Sequence, residues 1–371
     1  MRMSAAKSPV PTSLDDQERR FHVAFAILEQ AIGDRVFPAA SIAVTEKGSL
    51  IALKAFGRYT YEADAPIVTP ATIFDLASVT KAVATTSVAM LLYERGLLDL
   101  DAPVAGMVPE FISDDPRRQE VTLRMLLAHS SGLPAYEKLF LKANDRAGLL
   151  ELAFATPLAA DPGATAVYSD IGFILLAVAL ERLADEPLDR FCQREIFDPL
   201  GMANTCFNPP KKLKSHIPPT ANDRSFRQRI IQVEVQDENA SVLGGVAGHA
   251  GVFSTAADLA KFALATMRGG RPILRSDTVS LFTRRQSRPA GTSRALGWDT
   301  PSTPSQSGKY FGHSSFGHLG YTGTSLWIDP ERQLSITLLT NRTWPDCADR
   351  GIKIVRPQFH DAVIESLKKS G

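Results

Sequence analysis

Cysteine is scarce in this 371-residue chain, with three residues, Cys192, Cys206 and Cys347, far apart. An odd, sparse set with no CxxC pair excludes a disulfide framework and gives no sign of a zinc or dithiol site. Long apolar runs are missing as well. Ile171 to Leu180 spans about ten residues, roughly half of what a membrane helix requires. Charge of one sign is not in excess: 41 Lys+Arg against 40 Asp+Glu leave a net +1. That balance argues against coating nucleic acid or an anionic membrane through bulk charge. The first residues are polar and contain no secretory apolar core, so residues 1–12 read as a disordered tail and the expected compartment is the cytosol. With 44% hydrophobic and 22% charged residues, the composition is that of a globular protein. Nucleophile elbow (GxSxG), HExxH, Walker A and GxGxxG patterns do not occur.

The hydrophobic periodicity predicts a helix over about 13–34, with Phe21, Phe25, Leu28 and Ile32 at helical spacing and Ser13 with Asp16 as a capping box. Strands follow at 39–44 and 49–55, joined by a turn at Glu46-Lys47-Gly48. Helices are expected at 78–95, 123–128, 171–183 and from Thr255 to Gly269-Gly270. The chain then returns to strands at 324–328 and 334–340, and ends in a helix over 358–367. Strands at both ends and helices between them predict an α/β (α+β) fold: an antiparallel sheet flanked by helices, with a mainly helical insertion. The expected division is one catalytic domain over 13–371, its body formed by 13–80 and 285–371 and its helical subdomain by 81–284.

Ser78-Val79-Thr80-Lys81 puts a hydroxyl and an amine one helical turn apart, on one helix face. A serine hydroxyl is a weak nucleophile until a neighbouring base takes its proton, and a helix N-terminus adds free N–H groups and positive potential. The pattern alone is common. It also occurs at Ser4/Lys7 and Ser366/Lys369, but only Ser78 follows an apolar stretch and opens a long apolar helix.

Two further strings stand downstream in order: Tyr168-Ser169-Asp170, and His318-Leu319-Gly320 followed by Tyr321-Thr322-Gly323. With Leu126-Leu127-Ala128-His129-Ser130-Ser131-Gly132-Leu133-Pro134 and the glycine-rich stretch 244–251, the chain resembles the serine β-lactamase and penicillin-binding protein superfamily. The resemblance is to its class C β-lactamase-like branch, which includes esterases and D-Ala-D-Ala carboxypeptidases, and it covers roughly residues 15–365. It implies a β-lactamase/transpeptidase-like fold, Ser78 as acylated nucleophile and Lys81 as base or proton relay. It further implies Tyr168 as partner base and proton donor, and His318 as a source of charge or a hydrogen bond beside Tyr168. The backbone N–H groups of Ser78 and Tyr321 would form the oxyanion hole. No metal or cofactor is implied.

Two departures bear on substrate. Leu319 stands where the family has a threonine that helps hold carboxylates, which weakens the case for a β-lactam or a C-terminal D-alanine as the natural substrate. Asp170 stands in place of asparagine, so a carboxylate would press Lys81 towards its charged form unless Asp170 is protonated or turned away, or Tyr168 is the effective base. Asp170, Leu319, Gly320, Asn239 and His249 are expected to line the substrate cleft. His129 reads as a structural histidine, and Trp298 and Trp327 as packing residues. The expected activity is hydrolysis of an amide or ester through an acyl-enzyme, on a cell-wall-derived peptide, a muropeptide or a small ester. The rivals are a β-lactamase or D-alanyl-D-alanine carboxypeptidase, and a catalytically poor binding or scaffold module. The expected partner is a small-molecule or peptide substrate; neither nucleic acid nor a membrane span is expected, and the sequence leaves the oligomeric state open.

Overall fold

The computed structural model describes residues 12–348 and 350–368. Its centre is a five-stranded antiparallel sheet: β1 (Ala39–Glu46), β2 (Ser49–Gly57), β3 (Phe316–Leu319), β4 (Ser325–Asp329) and β5 (Leu334–Thr340), in the order β2-β1-β5-β4-β3. The first and last parts of the chain therefore meet in one sheet, with Ala40 opposite Thr340 and Val44 opposite Ile336. Lys47 and Gly48 both have positive φ, which suits the two-residue turn between β1 and β2 to the twist of the strands.

Strand alternation divides the sheet's side chains between two cores. Ile42, Val44, Trp327, Ile336 and Leu338 pack with Phe25, Leu28, Phe359 and Val363 of the two helices α1 (His22–Gly33) and α5 (Ile352–Lys368). Ala39, Ala43, Leu326, Ile328 and Leu339 face the larger core, which holds α2 (Ser87–Glu94), α3 (Asp170–Ala184) and α4 (Ala256–Met267). A β-strand shows successive side chains to opposite faces, so each strand serves both layers. α4 lies against β1, β2, β4 and β5, although it falls inside 81–284, the stretch expected to form the helical subdomain.

Several expectations need correction at element ends. Ser13 does not cap a helix; its N–H bonds the Leu50 carbonyl, and helix starts at Gln17, breaks at Phe21 and resumes at His22. Residues 1–11 of the expected tail lie outside the described residues, and Thr12 forms a parallel bridge with Leu50 rather than hanging loose. The last helix begins at Ile352, not 358, with Pro357 inside it. The Lys353 carbonyl, which a helical N–H at Pro357 would have bonded, accepts from Gln306 Nε2 at 3.0 Å instead. The helix after Ser78 contains a π-helical turn, Lys81–Thr86, before α2. No described helix is long and apolar enough to cross a membrane.

Candidate active site

Ser78 follows the short strand Phe74–Asp75, which pairs with Val252–Ser254. The chain turns there through Leu76 and Ala77, and Ala77 takes a left-handed conformation, φ +47, before helix starts at Val79. Such a conformation is unusual for alanine and is held by its surroundings. Lys81 comes one turn later, fully buried at 0% exposure.

The Lys81 Nζ donates to Ser78 Oγ at 3.0 Å, to Asp170 Oδ1 at 2.6 Å and to the His249 carbonyl at 3.0 Å. An ammonium has three protons and each has a partner. Burial would pull the Lys81 pKa down, but the Asp170 carboxylate and Tyr168 outweigh it, and the net shift is upward. Lys81 thus rests as a cation. Asp170 does not turn away from it, as one expectation had allowed, and the pair forms a buried ion pair. The cause is local: Asp170 opens α3, whose preceding Ser169 caps the helix through Gly172 N, so the carboxylate is delivered to the floor of the site.

Tyr168 stands two residues before Asp170, its ring centroid 4.8 Å from Lys81 Nζ. Burial raises the phenol's pKa and Lys81 lowers it, with a net rise, and Ser78 is close enough to contribute. His129 lies 4.5 Å from the Tyr168 ring, centroid to centroid, and its Nδ1 accepts from the Ser169 N–H at 3.0 Å. Its Nε2 is buried with no hydrogen-bond partner among the described residues.

His318 sits near the end of edge strand β3, its ring 6.0 Å from that of Tyr168. Its Nδ1 is 2.8 Å from the Leu319 carbonyl and so carries the proton, which leaves Nε2 as a buried acceptor. Burial and then the Lys81 charge push the imidazole down to about 3, so His318 is neutral near pH 7 and supplies an acceptor, not positive charge. Leu319, the next residue on the strand, points to the other side and packs against the α1–α5 core, not into the cleft.

The β3–β4 turn is fastened to the nucleophile's turn. Thr322 Oγ1 donates to the Asp75 carbonyl at 2.8 Å and Thr324 Oγ1 to the Leu76 carbonyl at 2.9 Å. Gly320 permits the approach: a Cβ there would meet Thr324 Oγ1 at 1.9 Å and the Leu76 oxygen at 2.4 Å. Neither the Ser78 N–H nor the Tyr321 N–H donates to another described residue, which leaves both available to an oxyanion.

Two expected cleft residues serve elsewhere. Asn239 is buried and uses both ends of its amide on backbone, accepting from Phe140 N and donating to the Glu137 carbonyl. His249 is buried behind Lys81, with Nε2 2.8 Å from Asp237 Oδ1. Three further residues surround the site: Asp237 and Tyr136, which the sequence offers only as secondary candidates for the cleft, and Arg294, which it does not single out. Asp237 anchors His249. Arg294 lies 5.2 Å from the Tyr168 ring centroid, held by a 3.7 Å ion pair to Asp299. Tyr136, 39% exposed, is near enough to Asp170, Asp237 and Tyr321 to feel their charge, while Tyr321 is 54% exposed. A surface groove of about 810 Å³ lined by Glu110, Asp114, Arg118, Phe154 and Arg182 includes none of these residues and has no comparable chemistry.

Comparisons with known proteins bear on the family and the fold. Residues 25–355 match the family described as Beta-lactamase. An Escherichia coli K12 protein named "Putative D-alanyl-D-alanine carboxypeptidase" is 30% identical over 98% of this chain and 91% of its own length. The Bacillus subtilis 168 "N-acetylmuramyl-L-alanine amidase" is 32% identical over 82% of this chain and 77% of its own. Among solved structures, EstCE1, described as a hydrolase with promiscuous acyltransferase activity, superposes with a TM-score of 0.76 at 23% identity, covering 93% of this chain and 99% of that one. Unliganded simvastatin synthase LovD from Aspergillus terreus gives 0.73 at 21%, covering 95% and 99%; both likenesses speak to the fold. With its sheet closed by both ends of the chain, its Ser-x-x-Lys turn and nearly its whole length matched, this chain belongs to the beta-lactamase family.

Proposed function

We propose that the protein is a serine hydrolase that forms an acyl-enzyme on Ser78, with an amide of a cell-wall-derived peptide or muropeptide as its substrate class. The observation that carries this reading is the 3.0 Å contact between Lys81 Nζ and Ser78 Oγ at the head of a helix, with Tyr168 beside both. The names of the two curated relatives favour the cell-wall amide over a small ester or a β-lactam.

Lys81 at rest has no lone pair to offer, so a proton must first leave it. The Asp170 oxygen 2.6 Å away is the acceptor. In water, moving a proton from Lys to Asp is uphill by ~6.5 pKa units, or roughly 9 kcal/mol. The surroundings raise the Lys81 pKa, so the neutral amine is a minor form reached only transiently before attack. The neutral amine then takes the Ser78 proton as Oγ attacks the carbonyl carbon, and the tetrahedral oxygen is held by the Ser78 and Tyr321 N–H groups. Tyr168 gives its proton to the leaving amine as the C–N bond breaks, and Lys81 returns one to Tyr168. Water repeats the sequence on the ester bond and frees the acid. His318 Nε2 is an acceptor beside Tyr168, suited to an N–H of the substrate.

The test is intact mass after a fluorophosphonate or a fluorescent penicillin, followed by turnover of N-acetylmuramyl peptides, p-nitrophenyl esters and nitrocefin. A single adduct on wild type that Ser78→Ala abolishes, with turnover of the muropeptide, is expected. Adduct without muropeptide turnover moves the substrate to esters or β-lactams. No adduct with either probe overturns the enzymatic reading in favour of a binding module.

A further inference from the structure

Asp75 is buried at 2% exposure, three residues before Ser78, and forms no ion pair with any described residue. A carboxylate in such a place is disfavoured unless hydrogen bonds replace its water. Each of its oxygens has one. Oδ1 accepts from the Ala77 N–H at 2.8 Å, and Oδ2 from the Gln236 N–H at 2.7 Å. The Asp75 carbonyl accepts from Thr322 Oγ1 at 2.8 Å.

These three bonds reach three separate parts of the site. Ala77 is the left-handed residue that sets the direction of the Ser78 side chain. Gln236 precedes Asp237, which holds His249, whose carbonyl holds Lys81. Thr322 follows Tyr321, whose N–H is one of the two free donors. The charged groups facing Asp75 are Asp237, which disfavours its ionised form, and Arg227, which favours it. Arg227 is itself committed to Asp223 and to the carbonyls of Val235 and Gln236.

We infer that Asp75 is a positioning residue whose carboxylate form holds the nucleophile's turn, the Lys81 support and the oxyanion turn in one arrangement, and whose protonation releases it. This rests on the acyl-enzyme reading above. Both oxygens of the carboxylate are full acceptors; protonation turns one of them into a hydroxyl, a weaker acceptor, so the contact made by that oxygen is weakened. Burial pushes Asp75 up to about 6, so the ordered arrangement is lost as pH falls below that value.

The experiment follows acylation of the full-length chain by p-nitrophenyl acetate and by a fluorophosphonate between pH 4.5 and 8. For wild type, acylation should fall about tenfold per pH unit below about 6, with KM for the ester little changed. Asp75→Asn should be slowed at least tenfold at pH 7.5 and should lack that acidic limb, because its amide offers a donor where an acceptor is needed. A purely structural role would lower thermal stability and leave the limb in place. Asp75→Asn with wild-type rates, or with the limb retained, overturns the inference. If the variant does not fold, carboxyl NMR of wild type labelled at aspartate decides: an Asp titrating near 6 in step with acylation supports it, and none titrating between 5 and 7 overturns it. Wild type that is acylated at no pH overturns the acyl-enzyme reading and this inference with it, whereas labelled wild type with an unaffected variant overturns the inference alone.

Discussion

Lys81 and Asp170 decide the chemistry of the site together, because neither is comfortable without the other. Lys81 is at 0% exposure and the Asp170 side chain at 16%, so removing one partner leaves a charge in poor solvent. Breaking such a buried pair typically costs about 3–5 kcal/mol. Lys81→Met should therefore abolish acylation and lower stability by an amount in that range. Adding Asp170→Asn to it should restore much of the stability and none of the activity, as read by urea unfolding and fluorophosphonate labelling. Asp170→Asn alone should keep the fold and slow acylation by about 10²-fold, the usual worth of a positioned proton acceptor. The acylation rate is the check: an unchanged rate would remove Asp170 from the proton path. Ser78, Lys81, Tyr168 and His318 were legible because nucleophile and amine at one-turn spacing, and motifs in a fixed order, are local in sequence. Arg294 was not, since it reaches the site only by tertiary packing from a segment with no distinguishing pattern, and Asp237 and Tyr136 were legible only as secondary candidates. Asn239 was misread for a related reason: a polar residue beside glycines looks available, and only the fold shows that both ends of its amide are spent on residues 137 and 140.

At the scale of elements, the β3–β4 turn places one prospective oxyanion donor by pressing against the nucleophile's turn. Gly320 is the residue that allows the contact. Gly320→Ala would drive a methyl into Thr324 Oγ1 and the Leu76 carbonyl, and the backbone carbonyl cannot move without moving Ser78. The expected result is a loss of about 10²–10³ in acylation rate, the scale for one misplaced oxyanion donor. Labelling should stay confined to Ser78, and circular dichroism should report little change. A variant that acylates at the wild-type rate would show that the turn is not part of the site. The strands and most helices were readable from periodicity, since a half-buried element repeats its apolar residues at its own pitch. Helix ends were less so. Pro357 marked a false start because a long-range bond from Gln306 satisfies the carbonyl that proline leaves unpaired. The π-helical turn at Lys81–Thr86 has no sequence signature, although such turns often occur at functional sites.

Across the whole molecule, buried histidines tie the fold to neutral pH, His318 and His360 among them. His318 sits under the site, and His360 lies on α5 between Ser307 and Ser325. Burial pushes each imidazole down to about 3, against ~6.5 in an unfolded chain. The unfolded state therefore binds more protons between those values, and stability is full above ~6.5 and falls as pH drops towards 3. Asp75 works the other way: its pKa is raised to about 6, so it favours folding at low pH and that contribution fades as pH rises through 6. Two histidines shifted by ~3.5 units outweigh one carboxyl shifted by ~2, and the net effect is acid lability. Between pH 7 and 4.5, His360 alone should account for about 2.5 kcal/mol of lost stability, from ~2 pH units below its unfolded value at ~1.36 kcal/mol each. Because His360 is remote from the proposed chemistry, His360→Gln isolates this term. Gln can still donate to the Ser307 carbonyl, so the variant should match wild type within about 1 kcal/mol at pH 7 and exceed it in relative stability at pH 4.5. Urea midpoints at the two values measure the difference; equal losses for wild type and variant would mean that His360 is not held neutral, and that the acid sensitivity comes from elsewhere in the fold.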